Sequence, residues 1–160
     1  PEGVKILNVN SADEMYEKTV ENLPVDVAIF TAAVGDFKAK QINFEKIKKQ
    51  NLEKIEIVKT RDILDYTSKH NKLRPKLVIG FAAETSNLDE NSKNKLIEKN
   101  CDWIVANDVS NKKIGFDSEY NEVKIFQKNK PNIENISITT KEMIAKKLVE
   151  KISNELKANG

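Results

Sequence analysis

Lysines are dense shortly after residue 37, in a stretch whose charges could bind a polyphosphate. Lys38, Lys40 and the three lysines of Glu45–Lys49 are opposed there by a single acid, Glu45. Each ammonium is a compact charge that several phosphate oxygens can share, so such a cluster suits a triphosphate. The alternative interpretation is a solvated surface loop in a lysine-rich chain, because runs of charge usually face solvent.

The segment before these lysines predicts the element that would position them. Val25–Phe30 is an apolar run typical of a buried parallel strand. The small residues Ala32, Ala33 and Gly35 follow it and allow the backbone to approach a ligand closely. Because ligands of open α/β sheets bind beyond the carboxyl ends of strands, we expect the next polar residue, Asp36, to lie in such a site.

Further candidate site residues lie at the ends of later predicted elements. Lys59 and Arg61 stand between a strand and a helix, where free backbone N–H groups favour anions. Phe81 ends another strand; core packing is the ordinary role of such a residue, but the small residues after it leave room for a ring that stacks on a base. Lys95 and Lys99 are four residues apart, so both project from one face of a helix, where lysines are usually only solvated.

Strand and helix signals alternate as far as Val109, and the pattern then changes. Strands are predicted at Val4–Val9, Val25–Phe30, Lys54–Val58, Leu77–Ala83 and Asp102–Val109, and helices at Asp62–His70, Leu88–Lys99 and after the cap Ser11. Leu88, Leu96 and Ile97 are expected to face inward from the helix Leu88–Lys99. A hairpin of Glu122–Gln127 and Asn135–Thr139 precedes a last helix capped by Thr139, with an apolar stripe of Ile144, Leu148, Ile152 and Leu156. These signals predict a single α/β domain over residues 1–160: a Rossmann-like, three-layer fold with a mostly parallel sheet, an appended antiparallel hairpin and a C-terminal helix.

Composition excludes several classes of protein. The net charge of the 160 residues is only +2, so a broad nucleic-acid surface is not expected, and no apolar run approaches the length of a membrane helix. The one cysteine, Cys101, fits a reducing, cytoplasmic environment and is expected to be a small packed side chain. The one histidine, His70, is assigned a structural role near a helix C-terminus. No Gly-rich dinucleotide fingerprint or phosphate loop occurs in the chain.

Four stretches in order resemble one family of enzymes. They are AAVGDF with EKIKK, which ends at Lys49; VKTRDI from Val58; GFAAET from Gly80; and ANDVS with GFDSEYNEV, which ends at Val123. Together they resemble the phosphopantothenate–cysteine ligase family, which in bacteria is commonly the C-terminal half of a bifunctional coenzyme A biosynthesis protein. The resemblance implies ligation of 4′-phosphopantothenate and L-cysteine, driven usually by CTP with Mg²⁺ through an acyl-cytidylate. It also implies a cytoplasmic homodimer.

The resemblance also implies roles for particular residues. Lys46 matches the catalytic lysine of a flap that covers the phosphates, and we expect Lys38–Lys49 to be mobile until a triphosphate orders it. The nucleotide contacts implied are Phe30, Thr31, Ala32, Ala33, Asp36, Lys46, Val58, Lys59, Thr60, Arg61, Phe81, Lys95 and Lys99, with no protein metal ligand. The family's nucleotide-contacting turn typically reads lysine–asparagine–proline. In this chain the corresponding turn is Lys59-Thr60-Arg61.

The family's Gly-rich loop and its asparagine that contacts the acyl intermediate have no match here. We therefore interpret the chain as a C-terminal segment of the synthetase domain; FMN is expected only if a decarboxylase half is fused upstream. One alternative is a nicotinamide-dependent short-chain oxidoreductase, which needs a tyrosine and a lysine four apart, whereas Tyr66 and Lys69 are three apart. Another is a non-catalytic module that binds nucleotide or dimerises.

Overall fold

The computed structural model describes residues 2–41, 54–110 and 118–158. Four helices and seven strands occur in these ranges. The helices are α1 (Ala12–Glu21), α2 (Ile63–Lys69), α3 (Leu88–Lys99) and α4 (Lys141–Ala158). The strands are β1 (Val27–Phe30), β2 (Phe37–Ala39), β3 (Ile57–Lys59), β4 (Leu77–Glu84), β5 (Trp103–Asp108), β6 (Tyr120–Gln127) and β7 (Lys130–Thr140).

Five of the strands form the central sheet, in the order β1-β4-β5-β6-β7. Strands β1, β4 and β5 are parallel, with Val27 opposite Leu77 and Ile79 opposite Trp103. The hairpin β6–β7 continues the sheet because β6 pairs antiparallel with β5. The predicted mostly parallel α/β sheet with an antiparallel hairpin is therefore confirmed, including the parallel pairing of β1 with β4.

Alternating side chains of β4 and β5 build a core on each face of the sheet. Leu77 and Ile79 face one side, where they belong to the same cluster as Ile152 of α4, and Val78 faces the other side with Leu96 of α3. This alternation is expected of strands buried on both faces. The apolar stripe predicted for the last helix is confirmed: its first three members, Ile144, Leu148 and Ile152, are buried, and Leu156 packs against the same cluster.

An arginine fixes the ends of two helices against the starts of two strands. Arg74 donates from Nε to the carbonyl of Ser68 at the end of α2 and from Nη2 to the carbonyl of Asn100 after α3, at 2.8 and 3.2 Å. The same Nη2 lies 3.0 Å from both carboxylate oxygens of Asp102. Asp102 in turn accepts from the backbone N–H of Val78 at 2.7 Å. Both helices are thereby held so that the opposite end of α2 reaches the carboxyl edge of the sheet.

Glycine is favoured where α2 crosses β4. A Cβ placed on Gly80 would lie 2.6 Å from Leu64 Cδ2 and 3.0 Å from Ile104 Cδ1, which is closer than packed carbons approach. The absence of a side chain at Gly80 therefore lets α2 pack tightly on the sheet.

The strand predicted at Val4–Val9 is wrong. These residues form no strand, and Val4 and Ile6 are 60% and 65% exposed. A strand is stable only when its backbone groups pair, and no described strand pairs with this segment. The first predicted βαβ unit is therefore incomplete, although α1 forms as expected: Ser11 Oγ accepts from the N–H of Glu14 at 3.2 Å.

Three smaller expectations also need correction. The strand predicted at Lys54–Val58 begins later, at Ile57, and pairs antiparallel with β2 in a separate, exposed two-stranded sheet. Ile97, expected to face inward, is 75% exposed because its neighbour Leu96 takes the inward direction and each helical residue is rotated about 100° from the last. The last helix is capped by Thr140 rather than Thr139, since Thr140 Oγ1 accepts from the N–H of Met143 at 3.2 Å.

Candidate functional site

A cavity of about 620 Å³ lies at the carboxyl ends of β1, β4 and β5. The loop after β1 forms one wall, the start of α2 forms another, and α3 contributes two lysines. Ten of the thirteen nucleotide-contacting residues predicted from the sequence line it: Phe30, Thr31, Ala32, Ala33, Asp36, Thr60, Arg61, Phe81, Lys95 and Lys99. The fold therefore brings together side chains that are up to 69 positions apart in the sequence.

Three predicted residues do not belong to this group. Val58 and Lys59 are part of β3, where they pair with β2, and neither lines the cavity. Lys46 lies outside the described residues, as does most of the predicted flap, so both stay predictions. Lys38 and Lys40 are in or next to β2 and form ion pairs with Asp13 and with Glu56 rather than facing the cavity.

Thr60 joins the two walls of the cavity. Its backbone N–H donates to the carbonyl of Asp36 at 2.9 Å, and its hydroxyl donates to the carbonyl of Gly35 at 2.5 Å. These two bonds fix the loop after β1 against the segment that leads into α2. Thr60 therefore has a defined local function: it orients the backbone that carries Asp36.

Asp62 connects the cavity's positive charges to the start of α2. Its carboxylate caps the helix by accepting from the N–H of Asp65 at 2.8 Å, and it pairs with Lys99 Nζ at 2.7 Å. Burial alone would raise the pKa of Asp62, but the Asp65 N–H and the charges of Lys99 and Lys95 together lower it. The hydrogen bond to Asp62 raises the pKa of Lys99. Lys99 is thus kept charged and is held against the start of α2, where it lines the cavity.

Four polar residues that line the cavity were not among the predicted contacts: Asp62, described above, and Asn107, Asn121 and Lys141. Asn107 is near the end of β5, Asn121 is at the start of β6, and Lys141 begins α4. The predicted antiparallel hairpin could have indicated Asn121 and Lys141. Strand β6 begins at the edge of the sheet where the parallel strands end, and β7 returns to that edge. These residues extend the polar lining across four neighbouring strands.

A second cavity, of about 510 Å³, lies at the opposite edge of the sheet. Its three lysines already have partners: Lys76 pairs with Asp26 at 2.9 Å, Lys128 Nζ donates to Asn100 Oδ1 at 2.6 Å, and Lys130 pairs with Glu155 at 3.3 Å. A ligand there would have to displace these contacts. The amino ends of parallel strands are also not where ligands of such sheets bind, so the carboxyl-edge cavity is the better candidate.

Several other expectations concern residues away from the cavity. His70 has the structural role that was expected, because its Nδ1 accepts the N–H groups of Lys72 and Leu73 at 3.2 and 3.0 Å. Cys101 is buried, as predicted, and burial raises the pKa of its thiol to about 11, so it remains protonated. Tyr66 and Lys69, the nearest approach to an oxidoreductase pair, do not line the cavity.

Two further features, a cluster of metal-ligating side chains and a helix able to span a membrane, are absent from the described residues. No group of three or more histidine, cysteine, aspartate or glutamate side chains among them could hold a metal ion. Likewise, within residues 2–41, 54–110 and 118–158, none of the helices has the length and apolar character needed to cross a bilayer.

Comparison with known proteins places this geometry in a family. Residues 1–156 match the model of the DNA/pantothenate metabolism flavoprotein C-terminal domain. The chain is 39% identical over 154 residues to the coenzyme A biosynthesis bifunctional protein CoaBC of Borreliella burgdorferi, covering 94% of this chain and 38% of that protein. It is 34% identical over 152 residues to a cysteine/cysteine sulfinic acid decarboxylase of an unknown prokaryotic organism, covering 93% of this chain and 42% of that one.

A solved structure supports the same assignment. The C-terminal domain of a coenzyme A biosynthesis bifunctional protein CoaBC superposes with a TM-score of 0.74 at 33% identity, covering 99% of this chain and 69% of that one. The chain spans less than half the length of the curated relatives that it matches. On the family match and the shared fold, this chain belongs to the DNA/pantothenate metabolism flavoprotein C-terminal domain family.

Proposed function

We propose that the chain is the nucleotide-binding part of a phosphopantothenate–cysteine ligase that uses CTP in coenzyme A biosynthesis. The observation that carries the proposal is the carboxyl-edge cavity, where Arg61, Lys95 and Lys99 surround a space of about 620 Å³ that Phe81 also lines. Three cations beside an aromatic ring suit a base joined to several phosphates. The names of the curated relatives support the coenzyme A pathway.

Each lining residue has a chemical task in this proposal. Phe81 offers a ring face to the cytosine, and Asp36 offers an acceptor to its amino group or to the ribose hydroxyls. The small residues Ala32 and Ala33 let the backbone approach the nucleotide. Lys46, whose role comes from the family resemblance, covers the phosphates as part of the flap.

The proposed reaction has two steps. In the first, the carboxylate of 4′-phosphopantothenate attacks the α-phosphate of CTP; a P–O bond forms, pyrophosphate leaves, and an acyl-cytidylate results. In the second, the amine of L-cysteine attacks the acyl carbon, CMP leaves with the bonding electron pair, and the amine loses a proton. Fixed cations lower the barrier of the first step because they stabilise negative charge that spreads over the phosphate oxygens. Arg61, Lys95 and Lys99 supply such cations.

Mg²⁺ has no protein site of its own among the described residues, where no cluster of metal-ligating side chains occurs. In the proposal the ion enters as the counter-ion of the triphosphate, and its ligands are mainly phosphate oxygens and water. No step of the reaction is assigned to a metal held by this chain.

FMN is a second candidate ligand for the same cavity. The family description names a flavoprotein, and one relative is named as a decarboxylase. FMN carries a single phosphate, however, whereas the cavity is lined by four cations, which outnumber its two carboxylates: Arg61, Lys95, Lys99 and Lys141 against Asp36 and Asp62. The charge of the site therefore favours a triphosphate, and FMN is proposed only for a decarboxylase half elsewhere in the protein.

Titration of the full-length protein with CTP, ATP and FMN separates these candidates. We expect CTP with Mg²⁺ to bind more tightly than ATP, and we expect pyrophosphate release when 4′-phosphopantothenate is added. CTP binding without pyrophosphate release would support a non-catalytic nucleotide-binding module instead. If FMN binds at this cavity and neither CTP nor ATP displaces it, the ligase proposal is refuted.

A homodimer is proposed as well. Strand β7 is the last strand of the five-stranded sheet, and within the described residues no further strand pairs with its outer edge. Tyr120 and Ile138 on the hairpin are 51% and 58% exposed. An unpaired strand edge with exposed apolar side chains is a surface on which a second chain can pair. Sedimentation equilibrium of the full-length protein tests this: a monomer at the highest accessible concentration would contradict it.

A further inference from the structure

Arg61 at the rim of the cavity is in contact with an aromatic ring that no sequence motif indicated. Its guanidinium carbon lies over the ring of Tyr16, 4.7 Å from the ring centroid, which is within the range of a cation–π contact. Tyr16 belongs to α1, 45 positions earlier in the sequence. Arg61 lines the cavity, whereas Tyr16 does not. Tyr16 therefore has no direct place in the lining, although its neighbour Met15 on α1 does; its own contact with a charged lining residue is the one with Arg61.

Tyr16 is itself held by a row of rings. Its ring meets that of Tyr66 edge-on, with centroids 4.9 Å apart, and Tyr66 meets His70 edge-on at 5.4 Å. His70 is fixed in turn because its Nδ1 accepts two backbone N–H groups. Such edge-to-face pairs favour one relative orientation of the rings. The row runs from the end of α2 back to Arg61 at its start.

The guanidinium of Arg61 keeps its capacity to bind an anion. Within the described part of the chain, no carboxylate lies within 4 Å of it, in contrast to Lys99, which pairs with Asp62. The contact with Tyr16 holds the charge in place, and a guanidinium has five N–H donors with which to bind an anion. A planar guanidinium with free donors can bind two oxygens of one phosphate.

From this geometry we propose that Tyr16 is a positioning residue: it holds Arg61 at the cavity rim so that the guanidinium binds a phosphate of the nucleotide. The inference rests on the proposed function, because it takes the ligand to be a nucleoside triphosphate. It adds a residue outside the cavity that sets affinity for the phosphates and not for the base. The turn of this chain, Thr60-Arg61, thereby contributes a phosphate contact that a proline at position 61 could not make.

The test compares CTP with cytidine in variants of the full-length protein. Tyr16→Leu removes the ring, and we expect it to weaken CTP binding about threefold, the size of an exposed cation–π contact, while cytidine binding is unchanged. Tyr16→Phe keeps the ring face and should bind CTP like the unaltered protein. Arg61→Gln removes the charge and should weaken CTP binding more than Tyr16→Leu. In the Arg61→Gln background, adding Tyr16→Leu should have no further effect.

The outcomes separate this inference from the proposed function. If Tyr16→Leu weakens CTP and cytidine binding equally, or weakens CTP binding even when Arg61 is already glutamine, Tyr16 has only a structural role and the inference is refuted. Unaltered CTP affinity in Tyr16→Leu would refute it too. If the unaltered protein binds no CTP at all, the proposed function fails first, and the phosphate assigned to Arg61 fails with it.

Discussion

Asp62 should contribute to stability through two separable contacts, and its replacements should distinguish them. The carboxylate caps α2 through the N–H of Asp65 and pairs with Lys99. Asp62→Ala removes both contacts, whereas Asp62→Asn removes the charge but keeps an oxygen that can cap the helix, since asparagine and aspartate are equally good N-caps. Lys99 remains charged in both variants, so the comparison isolates the cap.

The expected size of each effect follows from the exposure of the two groups. Loss of an N-cap costs about 1 kcal/mol. The ion pair is worth about 0.5 kcal/mol because the side chains of Asp62 and Lys99 are 45% and 26% exposed, and water screens their attraction. Asp62→Ala should therefore lower the free energy of unfolding by about 1.5 kcal/mol at pH 7 and Asp62→Asn by about 0.5 kcal/mol. The melting temperature should fall by about 3–6 °C and about 1–2 °C respectively.

The pH dependence supplies a second check on the same carboxylate. The pKa of Asp62 is lowered in the folded protein, so its charge stabilises the fold above the unfolded pKa, and this stabilisation is lost as the pH falls through the folded pKa. The difference between the unaltered protein and Asp62→Asn should therefore shrink as the pH is taken from 7 to below about 4. Urea unfolding followed by circular dichroism measures it.

A matched control is Asp26→Asn, which breaks an exposed pair with Lys76 and no helix cap. This control should change the free energy of unfolding by about 0.5 kcal/mol or less. If Asp62→Asn is as destabilising as Asp62→Ala at pH 7, or if its effect does not change with pH, the separation of cap from charge is wrong.

Three further predictions follow from packing and from the site. Gly80→Ala should lower the free energy of unfolding by about 1–3 kcal/mol, because its Cβ would lie 2.6 Å from a leucine methyl of α2; a thermal melt equal to that of the unaltered protein would contradict the close packing. Ile152→Ala should cost about 2–5 kcal/mol in urea unfolding and Ile97→Ala close to nothing, since Ile152 is buried against the sheet and Ile97 is 75% exposed; similar costs would show that α4 does not cover the core. Lys46→Gln should weaken CTP binding about tenfold by calorimetry, whereas Lys38→Gln, whose lysine pairs with an aspartate of α1, should have little effect; equal losses would reduce the flap to a general basic surface.

Much of the central sheet could be predicted because burial on both faces leaves a clear record in the sequence. The runs that became β4 and β5 are almost continuously apolar, and α3 was predicted with its observed bounds. Val4–Val9 has the same apolar character, but hydrophobicity does not reveal whether a strand has a neighbour to pair with. The prediction failed there for that reason, since the pairing depends on the rest of the sheet.

The candidate site was predictable where one motif carried both the strand and the residues at its carboxyl end. Asp36 and Phe81 were found in this way, and both line the cavity. Asn121 and Lys141 were not, because the hairpin that carries them reaches the same edge only through antiparallel pairing with β5. The contact between Tyr16 and Arg61 was also beyond the sequence, since it depends on how α1 packs beside α2.

The affinity for CTP of Lys95→Met, compared with Lys93→Met, tests the central claim most directly. The two lysines are on the same helix, but Lys95 lines the cavity, and Lys93 is exposed and does not. Loss of a charge-assisted contact to phosphate should weaken binding about tenfold or more in Lys95→Met and leave Lys93→Met unchanged, as measured by isothermal titration calorimetry of the full-length protein. Equal affinities in the two variants would show that CTP does not bind in the carboxyl-edge cavity.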